Sequence, residues 1–362
     1  MHSPLLDEER RSFVDEVRRF ACDDLADPAL AARDAAGEFW HDGWRRCAAR
    51  GLCGLPVPAD HGGAGADRVT IAAVLEALGY GCEDAGLVFS LNAHLWSSVV
   101  PIWRFGSDEQ RERYLRRLCS GEWIGLHAMT EPDSGSDAFA LSTVAEPDGD
   151  GHVLRGRKTL ITNAPLARLF IVFARAPGTE GALGVSAYLV EAGADGVTVE
   201  KPAEKMGLRT SPLGDIVLDG VRVGPDALLG KAGRGAAVFA ASMEWERLLI
   251  MAAQLGALER SLEEAASRAR DGATEPHPDR LVDTRVALAA ARALLFETAH
   301  AYDNGETRAG PAAAVKLLAS ETVLRAMIEL SDERRLRDAV GGRLYSGTSQ
   351  LMRRIVGRDM GL

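Results

Sequence analysis

One acid in this chain of 362 residues stands where an acid is costly. In AAVFAASMEWERLLIMAAQLGAL (residues 236–258), about 100° per residue puts Phe239, Met243, Glu246, Ile250, Ala253 and Ala257 on one stripe of a helix. Glu244, Arg247 and Gln254 lie well off its centre. A carboxylate in an apolar stripe loses its water, so its pKa rises into the range where it can take a proton from a weak carbon acid. The same residues also fit a buried structural glutamate paired with an arginine. A second string, AMTEPDSGSDA (residues 128–138), crowds small and polar residues into one loop. By itself it is equally a turn with Asx caps. GRGAAVF (residues 233–239) opens the Glu246 helix as a turn, or as an N-terminus able to hold an anion.

Other chemistries find no support. The eight histidines show no HxxxH or HxH spacing, so no metal site is expected. There is no G-x-S-x-G elbow and no Cys/His pairing for nucleophilic catalysis. Five cysteines (Cys22, Cys47, Cys53, Cys82 and Cys119) are an odd count and read as inert thiols of a reduced protein. A net charge of −10 without a basic run argues against nucleic acid. The arginines Arg104, Arg111, Arg113, Arg116 and Arg117 read as a solvated helix face, with a docking patch for an acidic carrier protein as the alternative. No signal-peptide core follows Met1, and the apolar run Leu248–Leu258 is short of the ~20 residues a spanning helix needs. A cytoplasmic protein without a membrane partner is expected.

The elements that must position these residues fall into three parts. Residues 1–124 read helical, with Leu6, Phe13, Val17, Phe20 and Ala21 at helix spacing and a Pro/Gly loop at GLPVPADHGGAGAD. DEQRERYLRRLCSGE forms a further helix that ends at Gly121. Residues 125–228 change to short runs rich in Val, Ile and Tyr (HVLRGRK, LFIVFAR, GVSAYLVE, GVTVE, DIVLDGVRV) between turn clusters, which predicts a small barrel or sandwich. Residues 229–362 are helical again, with long segments over 236–270, 281–303 and 311–330. Helices, then strands, then helices make a segregated α+β protein.

GLPVPADHGG, TEPDSGSD, the ITN segment of GRKTLITNAPLA, KMGLRTSPLGDIVLDGVRV and LRDAVGGRLYSGTSQLMRRIV follow one another along essentially the whole chain. Together they resemble the acyl-CoA dehydrogenase family. The resemblance implies an N-terminal all-α domain, a small middle β-barrel or sandwich domain and a C-terminal four-helix bundle, with FAD as cofactor. It implies that Met129, Thr130, Gly135 and Ser136 meet the flavin and its pyrophosphate, and that Ile161 and Thr162 lie near flavin N5, where the hydride arrives. Thr348 and Gln350 would close the site, and Tyr345 would line the substrate pocket. Leu160 stands where the family usually has tryptophan.

The reaction so implied is α,β-dehydrogenation of an acyl thioester. Much of the family carries its base in the place of Ser346, and a serine hydroxyl is too weakly basic to replace it. A branch that includes the isovaleryl and long-chain dehydrogenases places the glutamate on the helix, before an arginine in an ERL sequence, and has a small residue in the C-terminal motif. Glu246-Arg247-Leu248 and Ser346 match both features. The resemblance therefore assigns the base to Glu246, a polar wall of the substrate pocket to Arg247, and an oxyanion-holding backbone N–H to Ser346.

Two stretches depart from the pattern. SRARDGATEPHP offers Arg268 for the contact the family makes across a dimer to the partner's FAD, but Asp271 stands in the place of a phenylalanine. The family's Q-x-x-G-G-x-G-Y turn is missing from KLLASETVLRAMIELSDERRLR (residues 316–337). The expected protein is a homodimer or homotetramer acting on acyl-CoA or an acyl carrier protein, with an electron-transfer flavoprotein or another acceptor. The alternatives are a flavin oxidase or monooxygenase on the same fold, and an acyl-thioester or carrier binding protein that has lost FAD.

Overall fold

A computed structural model describes residues 3–200, 202–272, 276–330 and 333–362. The first helical region comprises α1 (Glu8–Asp23), α2 (Leu30–Ala36), α3 (His41–Ala49), α4 (Arg68–Gly81), α5 (Ala85–His94), α6 (Val100–Phe105) and α7 (Asp108–Cys119). Its helix starts follow from sequence chemistry: Asp7, Asp67 and Asp84 accept first-turn N–H groups, and Ser107 with Gln110 forms a capping box. A π-helical stretch, Leu95–Val99, joins α5 to α6, so Ala85–Phe105 is one 21-residue helical run with a mean hydropathy of 1.3. By length and composition it could cross a membrane, but 83% of its most apolar 18-residue stretch is buried inside the protein, which makes it a core helix. The sequence reading missed it as the longest apolar stretch because Ser90, Asn92, His94, Ser97 and Ser98 interrupt it. The arginines of α7 are held in place, with Arg111 on Asp108, Arg113 on Glu191 and Arg117 over the Trp123 ring.

The middle region is an eight-stranded sheet in the order β6-β7-β3-β2-β4-β5-β8, with β1 alongside β4. The strands are β1 (Gly125–Ala128), β2 (Val144–Asp148), β3 (Gly151–Thr162), β4 (Leu169–Arg175), β5 (Val185–Glu191), β6 (Val197–Val199), β7 (Leu213–Val223) and β8 (Leu228–Leu229). Between the pairs Lys158–Ile216 and Ile161–Gly214, Thr159 and Leu160 oppose Asp215 alone, a β-bulge. Leu160 takes a left-handed φ of 55° there, and Asp215 Oδ1 accepts both its N–H (3.2 Å) and the Thr159 hydroxyl (2.7 Å). The bulge turns Leu160 out to 60% exposure and aims the next residues, Ile161 and Thr162, along the strand end.

The last region comprises α8 (Gly235–Leu249), α9 (Ala252–Arg270), α10 (Pro278–Asp303), α11 (Ala309–Leu330), α12 (Glu333–Gly341) and α13 (Ser349–Asp359). The expected single helix over 236–270 is interrupted at Ile250–Met251. α9 lies against α4 at backbone distance, since a Cβ on Gly79 would come within 1.8 Å of the Ala253 carbonyl oxygen and one on Gly256 within 2.0 Å of that of Glu76. α8 is fixed from the other side. Trp245 stacks on Trp96 at 5.9 Å, the Arg68 guanidinium lies 4.0 Å over the Trp245 ring, and Arg68 also binds Glu244 (2.7 Å) and Asp303 (3.3 Å). Residues 331–332 of the stretch that lacks the Q-x-x-G-G-x-G-Y turn, and 273–275 of SRARDGATEPHP, lie outside the described residues.

The TEPDSGSD loop is anchored from beneath by an ion pair with no solvent access. Lys158 Nζ lies 2.7 Å from Glu131 Oε1 and 3.2 Å from the Met129 carbonyl, and Glu131 also accepts from Ser142 and Thr143. Burial pushes the Glu131 carboxyl up, but Lys158 and these donors hold it down at about 2. Removing one partner strands the other charge. Lys158→Met is expected to cost about 3 kcal/mol in thermal or denaturant unfolding, and the double variant with Glu131→Gln less than that.

Candidate active site

Glu246 sits one helical turn beyond Ser242, whose hydroxyl bonds the Trp96 carbonyl (2.8 Å) and contacts His127 Nδ1 (3.2 Å) of β1. This brings the glutamate to the junction of α8 and the sheet. Its carboxylate accepts the Ser346 hydroxyl at 2.5 Å. Among the described residues, no Lys, Arg or His nitrogen lies within 4.0 Å of it. Of the two readings open in the sequence, the structural Glu–Arg pair is thus not what forms. Arg247, its neighbour, instead donates from Nε to the Ser346 carbonyl at 3.3 Å. Burial raises the Glu246 pKa, opposed by the Ser346 hydroxyl and the charges of Arg247 and Lys316.

The turn that delivers Ser346 is strained. Ser346 and Gly347 take φ values of 55° and 98° in succession, and a left-handed non-glycine residue costs of order 1 kcal/mol. Outside bonds hold it there: Arg247 on the Ser346 carbonyl and Lys316 Nζ on the Gly347 carbonyl at 2.5 Å. The Ser346 N–H donates to no other described residue. Tyr345 packs on Phe89 with ring centroids 4.6 Å apart, and its hydroxyl accepts from Gln254 at 3.1 Å. Sequence reasoning did not single out Lys316 as a site residue. A lysine inside an Ala-rich helix was the available signal, but its target is a backbone atom 31 residues away.

On the sheet side, β1 leads into Met129 and Thr130, and the bulge of β3 leads into Ile161 and Thr162. The Met129 and Ile161 side chains are buried, and the Met129 carbonyl is taken by Lys158. The Thr130 and Thr162 side chains are half-buried and bond no other described residue. Gly135 and Ser136 are exposed, and a Cβ at Gly135 would meet nothing within 4 Å. Not every polar group of the loop awaits a ligand: Glu131 holds Lys158, and the Ser134 hydroxyl donates to the Asp137 carbonyl at 2.8 Å. Thr348 caps α13, accepting from the Leu351 N–H at 3.2 Å, while Gln350 is exposed. Arg268 does not join this cluster. It lies 22 residues beyond Glu246, roughly 30 Å along the helix direction, and donates to the Leu330 carbonyl.

A cleft with an empty volume of about 690 Å³ begins one turn past Glu246. Ile250, Ala253, Ala257, Val88, Phe89 and Tyr345 give it an apolar lining, and Arg260, Arg334 and Glu83 stand at its edge. Gln254, well off the centre of the stripe by helical phase, lines its margin too. From Ile250 to Arg260 it follows α9 for ~15 Å.

The N-terminal, middle and C-terminal domains of acyl-CoA dehydrogenase match residues 7–122, 127–221 and 233–361 of the chain. The chain belongs to the acyl-CoA dehydrogenase family. Among its relatives, an L-prolyl-[peptidyl-carrier protein] dehydrogenase of Pseudomonas fluorescens is 36% identical over 88% of this chain and 90% of that one. Its counterpart in Serratia is 33% identical, covering 99% and 98%. The solved prolyl acyl carrier protein oxidase AnaB superposes with a TM-score of 0.93 at 35% identity, covering 99% of this chain and 100% of that one. Butyryl-CoA dehydrogenase of Megasphaera elsdenii gives 0.93 at 27%, with the same coverage.

As a member of the acyl-CoA dehydrogenase family, the chain is an FAD-dependent oxidoreductase, and its own donor set fits the cofactor. Free hydroxyls at Thr130 and Thr162, an open backbone at Gly135 and an outward Leu160 offer both polar and apolar contacts to such a ligand. If the Thr162 hydroxyl is one of those contacts, Thr162→Val is expected to weaken FAD binding about fivefold, the worth of one hydrogen bond. Flavin fluorescence during titration of the apoprotein measures this, and an unchanged Kd would remove Thr162 from the cofactor site.

Proposed function

We propose that this enzyme oxidises the Cα–Cβ bond of an acyl group held as a thioester, with Glu246 as the base. The observation that carries the reading is a carboxylate with a raised pKa that has a hydroxyl beside it in place of a cation. A cation at contact distance would stabilise the carboxylate and weaken it as a base. The neighbouring Ser346 N–H has no acceptor among the described residues, which leaves it available as an oxyanion donor.

The α-proton passes to Glu246 while the Ser346 N–H holds the thioester oxygen as charge develops on it. The two electrons of that C–H bond form the Cα–Cβ double bond as the β-hydrogen leaves with its own pair. FAD, when bound, supplies the acceptor for that hydride. Thr130, Gly135, Ser136, Thr162, Thr348 and Gln350 are assigned to the cofactor, with backbone contacts from Met129 and Ile161. Arg247 holds the Ser346 turn, and Tyr345 walls the acyl cleft. Arg268 is assigned to the FAD of a partner subunit, which makes the working form a homodimer or homotetramer. The domain division 1–124, 125–228 and 229–362 follows the helical, sheet and helical regions.

Likeness to two carrier-protein dehydrogenases supports an acyl carrier protein over coenzyme A as the donor of the acyl group. The electron acceptor is then an electron-transfer flavoprotein, or dioxygen as the likeness to an oxidase suggests, and peroxide formed under air separates the two. The reading places the protein in the cytoplasm.

Glu246→Gln is expected to retain its yellow colour and to lose about 10³-fold in the rate at which a thioester bleaches the flavin without oxygen. In the wild type that rate is expected to rise with pH through a midpoint above 4.5, the ordinary glutamate value, since the base works only when ionised. Bleaching by Glu246→Gln at the wild-type rate would sink the assignment.

A further inference from the structure

A lysine with no solvent access needs a reason, because burying an ammonium costs several kcal/mol unless its surroundings repay it. Lys316 on α11 is such a residue, at 0% exposure. It donates to the Gly347 carbonyl at 2.5 Å, and its ammonium lies 5.8 Å from the centre of the Tyr345 ring. The charged groups whose fields it feels are Glu246 and Arg247 on α8 and Glu321 on its own helix. Glu321 is already engaged by Arg343 at 3.1 Å and Arg353 at 3.6 Å. Arg247 repels it. The carboxylate left to balance it is Glu246.

We propose that Lys316 is a positioning residue of the reaction: it fixes the Gly347 carbonyl so that the strained turn keeps the Ser346 hydroxyl on Glu246 and its N–H free for the thioester oxygen, and supplies a positive field near the base. The proposal rests on the reading of Glu246 as the base. Geometry gives it two separable effects. Ser346 and Gly347 occupy left-handed conformations that relax unless both carbonyls are held, one by Arg247 and the other by Lys316. The ammonium does not touch the Glu246 carboxylate, so it favours the ionised base without blocking it. Burial lowers the Lys316 pKa to about 8, against the pull of Glu246 and Glu321, so the clamp weakens as pH rises past that value.

The test is the pH dependence of anaerobic flavin bleaching by an acyl thioester, measured on the FAD-loaded wild type, Lys316→Met and Lys316→Arg. Melting temperature, flavin content and dissociation constant for the thioester are followed in parallel. In the wild type the bleaching rate is expected to fall above about pH 8. Lys316→Met is expected to lose about 10- to 100-fold in bleaching rate with little change in thioester affinity. Its acid limb should move up by about one pH unit and its alkaline limb should vanish. Lys316→Arg, which keeps a cation of a different shape, should restore the acid limb and only part of the rate.

A Lys316→Met profile that superimposes on the wild type, with only the melting temperature lowered, would make the lysine structural and overturn the proposal. Should that variant not fold, a wild-type rate that stays level well above pH 8 overturns it instead. If Glu246→Gln bleaches normally, the reading of the base has failed. If Glu246→Gln is inactive while Lys316→Met behaves as wild type, only the role of Lys316 has failed.

Discussion

The site depends on one constraint: a carboxylate must be taken out of water and still be able to ionise. A direct ion pair would solve the burial problem and spoil the base, since a touching cation lowers the pKa that desolvation has raised. Glu246 meets the constraint with a single hydroxyl in contact and two cations held back, each tied to a carbonyl of the adjoining turn. Arg247 and Lys316 are therefore present as field and not as partners. The same bonds explain why the turn keeps two left-handed residues in a row, which no local preference of serine would select.

This arrangement also accounts for the joint identity of residues 246 and 346. The Ser346 side chain reaches the Glu246 carboxylate at 2.5 Å, so the two positions share one small volume. A glutamate at 346 would set two carboxylates against each other, and like charges at that distance cannot both be ionised at neutral pH. Either position can hold the base, but not both together. With the proposed base on α8, its backbone is set by Trp245, packed on Trp96 and under Arg68, and not by the conformation of a turn. The turn keeps only the backbone donor, which any side chain leaves in place.

Much of this was legible in the sequence, because the governing patterns are local. Helical phase isolated Glu246, and the switch from helical periodicity to β-rich runs marked the sheet. What stayed hidden was long-range or irregular. Gln254 lines the cleft although phase sets it well off the centre of the stripe, since the cleft takes in more of the helix face than the stripe does. The polar crowding in TEPDSGSD looked like flavin chemistry throughout, yet Glu131 answers Lys158 of β3, 27 residues away. Lys316 was invisible for the same reason: its acceptor is a carbonyl, and carbonyls leave no mark on a sequence.

The cleft proposed for the acyl group follows from packing as directly as the proposed base does. Gly79 and Gly256 let α4 and α9 meet at backbone distance, where any side chain would push the helices apart. That contact fixes the wall from which Ala253 and Ala257 face the opening, and their small side chains leave it unfilled. α5 supplies the opposite wall through Val88 and Phe89, and Phe89 in turn packs on Tyr345, next in sequence to the residue that touches the base. The position of Glu246, the depth of the cleft and the conformation of the turn are thus set by one block of helices. A substitution that spreads α4 from α9 should disturb all three together, although none of its atoms would touch the reacting group.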